Sequence, residues 1–263
     1  MSSENTHIRF EDVSKTFGPI LALDDVSFSV RKNEVLAVMG DNGAGKSTLM
    51  KILSGVLQPT SGEIYVNGEA VDFQNHIDAQ EVGIETVYQD LAIAPSRTVT
   101  DNIFMGKEVI QSGAIRRRLG FVDDPAMEKR TEEILERLDL GRVSPSQEAG
   151  VLSGGQQQAV AVGRALGSDP DVLILDEPTS ALSVEAVDRI LDLVKQLQNE
   201  GLTIILIDHN IDEVFEVADR AAVLASGRYM GTRDIDSLTE HDLIQMMMGN
   251  SDTGGEATDE TTV

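Results

Sequence analysis

The sequence predicts an α/β chain with a parallel-rich central sheet, an antiparallel β portion near its start and an inserted helical portion. Three observations carry this. Val35–Met39, Val172–Leu175 and Thr203–Ile207 are near-continuous apolar runs of strand length, as expected of parallel strands covered on both faces. The first third of the chain is β-patterned, whereas residues 90–150 carry little strand pattern. The first apolar run leads through a glycine-rich turn into a helical pattern, the strand–turn–helix order of α/β units.

Taken in order, Val26-Ser27-Phe28-Ser29-Val30 alternates apolar and polar side chains, which suits a half-buried strand. Ile64-Tyr65-Val66 runs into Asn67-Gly68, a hairpin turn signal. After the Val35–Met39 run, Leu49, Ile52, Leu53 and Val56 recur at i, i+3, i+4 and i+7, predicting one buried helix face. Met127, Thr131, Ile134 and Leu138 fall at helical spacing among many charges, which places a helical subdomain between about residues 90 and 165. Asn250 to Val263 is acidic, Thr/Gly-rich and nearly free of apolar side chains, so residues 1–249 are expected to form one domain and 250–263 a disordered tail.

Between the first strand and its helix lie Gly40, Asp41, Asn42, Gly43, Ala44, Gly45, Lys46, Ser47 and Thr48. Gly40, Gly43 and Gly45 let the backbone approach an anion closely, so successive N–H groups can point at phosphate oxygens. The positive end of the following helix adds to that field. Lys46 can reach the β- and γ-phosphates, and the Ser47 hydroxyl can ligate Mg²⁺. The alternative is a glycine-rich turn with an incidental lysine. The flanking strand and helix favour a nucleotide-binding phosphate loop, hence a P-loop NTPase core.

Asp176 and Glu177 follow the apolar run Val172–Leu175, at the carboxyl end of a predicted strand, where ligands bind in α/β sheets. Asp176 is expected to face Mg²⁺, and Glu177 to polarise an attacking water; the plainer alternative is that the pair merely opens a loop. Further along, Ser153, Gly154, Gly155 and Gln156 precede a helix with apolar Ala159, Val162 and Leu166. Ser153 with Gln156 fits a capping box, a complete structural explanation. Two glycines at a helix start also make an anion site, which suggests a face for another subunit's nucleotide.

Composition narrows the partners. The 263 residues contain 45 Asp plus Glu against 21 Lys plus Arg, a net charge of −24. Such a surface repels nucleic-acid phosphates and suits a high-salt cytosol. There is no cysteine, so a disulfide framework and a thiolate metal site are excluded, and a reducing cytoplasm fits. No apolar run reaches membrane-spanning length, and Met-Ser-Ser-Glu-Asn-Thr-His lacks the basic start and apolar core of a signal peptide. Arg116-Arg117-Arg118 is the one strongly basic run, expected on a solvated face of the helical subdomain, with docking to a permease or membrane surface as the second reading.

The motif set as a whole, Gly40–Thr48, Gln89, Leu152–Gln156, Leu175-Asp176-Glu177-Pro178 and His209, resembles that of the ATP-binding-cassette ATPases from about Ile8 to Gly249. The resemblance implies that Gln89 begins a loop sensing Mg²⁺ and a membrane partner. It also implies that His209 contacts the γ-phosphate and holds the attacking water, and that Phe17 lies against the adenine. ATP and Mg²⁺ are the implied ligands, with Lys46, Glu177 and His209 as catalytic residues and Ser47, Gln89 and Asp176 toward the metal. Two cassettes, identical or not, would clamp ATP between one chain's Gly40–Thr48 and the other's Ser153–Gln156. Ser183 departs from an aspartate common in the family, and Gln157 and Gln158 stand where a basic residue is frequent. Val87–Leu91, Asn102–Gly106, His209–Ile211 and Val214–Asp219 look like the monosaccharide importers of the ribose, xylose and fructose type. That branch implies permease partners, indirectly a substrate-binding protein, and a peripheral place on the cytoplasmic membrane face. The alternatives are an ATPase for another solute, such as branched-chain amino acids, or a soluble cassette such as a cluster-assembly factor.

Overall fold

A computed structural model describes residues 5–111, 120–180 and 182–250. Among these, ten strands form one sheet in the order β5-β4-β1-β2-β10-β9-β3-β8-β7-β6. The strands are β1 (Thr6–Phe17), β2 (Ile20–Arg31), β3 (Val35–Met39), β4 (Ser61–Val66), β5 (Glu69–Val71), β6 (Ile84–Val87), β7 (Val172–Asp176), β8 (Thr203–Ile207), β9 (Arg220–Ala225) and β10 (Arg228–Asp234).

The three apolar runs are β3, β8 and β7, adjacent and parallel, and nearly every residue in them is buried. Parallel β9 and β6 flank them. The alternating segment belongs to β2, which with β1, β4 and β5 forms an antiparallel wing. β4 and β5 are joined by the expected hairpin, with Asn67 and Gly68 at φ 51° and 84°. The wing joins the parallel core through one pairing, Arg228 with Asp24, reinforced by an Arg228 Nε–Asp24 Oδ2 ion pair of 2.8 Å.

Among the described residues there are eight α-helices: α1 (Lys46–Leu53), α2 (His76–Glu81), α3 (Val99–Ile103), α4 (Asp124–Arg137), α5 (Gly154–Leu166), α6 (Val184–Asn199), α7 (Ile211–Val217) and α8 (Glu240–Met247). Leu49, Ile52 and Leu53 of α1 are buried against the wing side of the sheet. Val56 differs from expectation: Ser54 caps the helix and Gly55 turns the chain at φ 72°, leaving Val56 half exposed beyond it. Met127, Thr131 and Ile134 face inward on α4. Gly163 lets α5 lie close to α4, since a Cβ there would stand 3.0 Å from Ile134 Cγ2. Residues 116–118 and the tail from 251 onward, for which expectations were drawn above, lie outside the described residues.

Candidate active site

Strand register builds the site. Val38 of β3 is level with Ile207 of β8, Asp176 of β7 with Ile207, and Leu175 with Val87 of β6. Four neighbouring parallel strands therefore end at one height. The segments leaving them carry Gly40–Thr48, Gln89, Glu177 and His209 onto one sheet edge.

The loop from Gly40 is shaped by contacts only glycine tolerates. Gly40 has φ 149°, and a Cβ there would lie 2.2 Å from the Leu224 carbonyl oxygen. Gly45 has φ 105°, with Leu23 Cδ2 at 2.7 Å and the Ala22 carbonyl oxygen at 2.9 Å from a built Cβ. Gly45 caps α1 without any side-chain hydrogen bond, so the helix's leading N–H groups keep no cap of their own. Lys46 is buried, and Nζ donates to the carbonyls of Gly40 at 2.5 Å and Asp41 at 3.2 Å. Burial pulls its pKa down, opposed by the nearby Glu177, Asp41, Asp176 and Asp208 charges. Among the described residues no carboxylate pairs with this ammonium directly. A buried cation, an uncapped helix start and a cradle closed to Cβ atoms fit a polyphosphate.

Across the loop, Asp176 ends β7 half-buried, and burial followed by the Glu177 charge raises its pKa, against Lys51 and Lys46. Glu177 adopts the left-handed region, φ 47°, uncommon for a long side chain. Its N–H donates to the Ile207 carbonyl at 2.9 Å, and its carbonyl accepts from Ser180 Oγ at 3.0 Å. The carboxylate meets two partners: Gln89 Nε2 donates to Oε2 at 3.0 Å, and His209 Nδ1 lies 3.3 Å from Oε1. With its amide nitrogen so engaged, Gln89 keeps Oε1 for a cation.

The donor set Ser47 hydroxyl, Gln89 carbonyl and Asp176 carboxylate suits a hard cation such as Mg²⁺. Among the described residues no three His, Cys, Asp or Glu side chains converge on a metal position. An ion here would accordingly lean on nucleotide oxygens and water, as Mg²⁺ usually does.

Phe17 closes the β1–β2 hairpin opposite Ile20, 44% exposed, with Lys15 Nζ 5.3 Å from its ring centroid. The same β2 strand supplies Ala22 and Leu23 behind Gly45, which sets the hairpin tip beside the loop. Ser153–Gln156 is separate: no hydrogen bond among the described residues joins it to Gly40–Thr48. Ser153, Gly155 and Gln156 instead line a cleft of about 840 Å³ shared with Ala186, Arg189 and Arg142. Its capping box is closed, with Ser153 N donating to Gln156 Oε1 at 3.0 Å and Gln156 N to Ser153 Oγ at 3.4 Å. Gly155 also has a reason within the chain, because a Cβ there would stand 2.9 Å from Ala186 Cβ on α6. Ser183 begins α6 without a side-chain cap bond, and Gln157 Nε2 donates to the Ala149 carbonyl at 3.1 Å.

Two supports had no counterpart in the sequence reading. Arg164 of α5 donates to the Leu91, Ala92 and Asn102 carbonyls, pinning the segment after Gln89 to the helical portion. Asp208, 2% exposed, accepts the N–H groups of His209 and Asn210 at 2.7 and 2.8 Å. An acidic residue directly after a wholly apolar strand was the available signal for the second.

The ABC transporter family model matches residues 23–180. The ribose import ATP-binding protein RbsA of Chromobacterium violaceum is 40% identical over 242 residues, covering 92% of this chain and 47% of that protein. The arabinose import ATP-binding protein AraG of Chromohalobacter salexigens is 40% identical over 237 residues, 90% of this chain and 46% of that one. The chain thus spans about half the length of the curated relatives it matches. A nucleotide-free ATP-binding cassette from an ABC transporter superposes with a TM-score of 0.79 at 28% identity, over 92% of this chain and 95% of that one. A dimeric post-hydrolysis cassette bound to ADP and phosphate gives 0.71 at 26% identity, over 88% of this chain and 100% of that one.

Proposed function

The chain belongs to the ABC transporter family, and from that premise we propose that it is the ATP-hydrolysing, energy-coupling subunit of a monosaccharide importer. The observation that carries hydrolysis is Glu177, held in a left-handed turn with Gln89 and His209 on its two oxygens. The sugar class rests on the ribose and arabinose import proteins among its relatives.

Lys46 releases the Gly40 and Asp41 carbonyls for β- and γ-phosphate oxygens, and the Gly43–Thr48 amides complete the cradle. Phe17 stacks on the base. Ser47, Gln89 and Asp176 would hold Mg²⁺, which when bound offsets phosphate charge. Glu177 orients the attacking water and accepts its proton, while His209 holds the water and the γ-phosphate in line. The remaining face of the nucleotide is supplied by Ser153–Gln156 of a second cassette, a copy of this chain or a sister subunit. Permease subunits supply the membrane path, with a binding protein delivering sugar to them. No helix among the described residues is long and apolar enough to cross a membrane. On this reading the subunit works peripherally, at the cytoplasmic face. The net charge of −24 suits a salt-rich cytosol, so turnover should hold in molar potassium chloride.

Glu177→Gln tests the core of this reading. The variant should bind ATP, associate into pairs by light scattering and release phosphate about 10²- to 10³-fold more slowly; brisk turnover removes Glu177 as the base. Reconstituted with its permease, the chain should hydrolyse ATP faster when a ribose- or arabinose-loaded binding protein is added. Stimulation by a branched-chain amino acid instead would overturn the sugar assignment.

A further inference from the structure

Next to His209 in the chain lies a ring of contacting groups that the mechanism above does not use. Asp208 follows β8 and is almost fully buried. Its Oδ1 takes the His209 and Asn210 N–H groups, and its Oδ2 lies 3.4 Å from Thr179 Oγ1. Thr179 Oγ1 donates to Glu213 Oε2 at 2.5 Å. Glu213 Oε1 accepts from Asn210 Nδ2 at 2.7 Å, and Asn210 Oδ1 in turn caps α7 through the Asp212 N–H at 3.2 Å. The ring therefore runs from Asp208 Oδ2 past the Thr179 hydroxyl, whose one proton goes to Glu213, on to Asn210 and back to Asp208 Oδ1 through the Asn210 backbone N–H.

Its members come from the two segments that carry the two reacting side chains. Thr179 stands two residues after Glu177, and Asp208 one residue before His209. The segments are stitched once more by Glu177 N to the Ile207 carbonyl at 2.9 Å. Burying a carboxylate is costly unless hydrogen bonds repay it, and no cation pairs with Asp208 among the described residues. An apolar residue would fill the space at lower cost. A carboxylate, by contrast, can take two consecutive amides on one oxygen while facing the hydroxyl with the other, which fixes the backbone turn at His209.

We propose that Asp208 is a positioning residue for hydrolysis. Through the ring with Thr179, Glu213 and Asn210 it locks the backbone of His209 against the Glu177 turn, and so sets the 3.3 Å approach of the imidazole to the carboxylate. This rests on the reading of Glu177 and His209 as the hydrolytic pair. It adds that their separation is held by side chains other than the two reacting ones.

The test is single-turnover ATP hydrolysis with the full chain in excess, in molar potassium chloride, beside ATP affinity measured by calorimetry. Asp208→Ala should slow hydrolysis roughly 10- to 100-fold while ATP affinity stays at the wild-type value, since misplacing a catalytic group acts on the barrier. Asp208→Ser keeps an oxygen for the Asn210 amide and should recover most of the rate. Added to His209→Ala, Asp208→Ala should cost nothing further, because it acts through the imidazole. A wild-type rate for Asp208→Ala while His209→Ala is slow overturns the proposal, and so does a multiplicative loss in the double variant. If Asp208→Ala fails to fold, Thr179→Val breaks the same ring with an isosteric side chain, and a wild-type rate there overturns it equally. A His209→Ala chain that hydrolyses at the wild-type rate would instead sink the underlying reading of the pair.

Discussion

Two helices among the described residues have glycine at their N-terminal end, one at the cap and one just inside it, and they begin in opposite ways. At α1 the cap is Gly45, left-handed and pressed against Ala22 and Leu23, with no side chain serving the first turn. At α5 the cap is Ser153 in extended backbone, and a reciprocal Ser153–Gln156 box serves it. The first start has a backbone that only glycine adopts easily, leaves its leading N–H groups without a side-chain cap and adjoins a buried lysine. The second is satisfied within its own chain. The comparison teaches that glycine near a helix N-terminus has two physical meanings: in α1 no other residue fits the backbone, and in α5 Gly155 admits a neighbouring helix.

The largest expected effect falls on the unsatisfied start. Lys46→Ala removes the buried ammonium and should weaken ATP binding by about 10²- to 10³-fold, read by calorimetry. Arg142 and Arg189, cations that share the Ser153 cleft, are exposed rather than buried. An unchanged ATP affinity in Lys46→Ala would erase the distinction between the two helix ends.

Next come the glycines themselves. Gly45→Ala places a Cβ against backbone and a leucine at φ 105°, so it should lower the melting temperature and weaken ATP binding, by less than Lys46→Ala does. Gly154→Ala meets nothing nearer than Leu182 Cδ2 at 3.5 Å and should melt like the wild type with ATP affinity intact. Equal melting temperatures for the two variants would break the comparison.

Much of the sheet edge that carries Gly40–Thr48 was legible because its signals are local. Gly40–Thr48 carries its own signal, and the runs at Val35, Val172 and Thr203 read correctly as central strands because burial on both faces leaves no polar alternation. What could not be read depends on contacts across the chain. Gly155 is explained by Ala186, and the Gln89 segment by Arg164, 75 positions away in sequence (89 to 164). Val56 fitted the helical period, yet Gly55 ends the helix before it, a case of local turn chemistry overriding periodicity. Asp208 stands alone after its strand, without the adjoining acid that marks Asp176-Glu177, and the fold buries it beside Thr179.

Ser153→Ala should produce a smaller effect, and a divided one. Losing the cap costs about 1 kcal/mol of stability, seen in urea unfolding. ATP affinity of the single chain should not change, since no bond joins Ser153 to the phosphate loop. Hydrolysis by paired chains should fall if the second cassette's Ser153 completes the site. A loss of ATP affinity in Ser153→Ala would mean that the two helix starts share one ligand within one chain.

The smallest effect is a difference in acid sensitivity. The Ser153–Gln156 box contains no group that titrates, so the stability lost in Ser153→Ala should be the same at any pH where the chain folds. The sheet beneath α1 does contain such a group. His7 on β1 is buried, and its Nδ1 lies 2.7 Å from Thr203 Oγ1 at the start of β8, tying the antiparallel wing to the strands that carry the phosphate loop. Burial, then the Lys32 charge, holds its pKa below the ordinary 6.5, against a weaker pull from Asp171. The unfolded chain therefore binds a proton at His7 before the folded chain does. Stability from this group is complete above pH 6.5 and declines as the pH falls toward the lower folded value. Urea midpoints measured down through that window should fall more steeply for the wild type and for Ser153→Ala than for His7→Gln, which cannot take up the proton. Parallel slopes in all three proteins would show that His7 is not the acid-sensitive tie between wing and core.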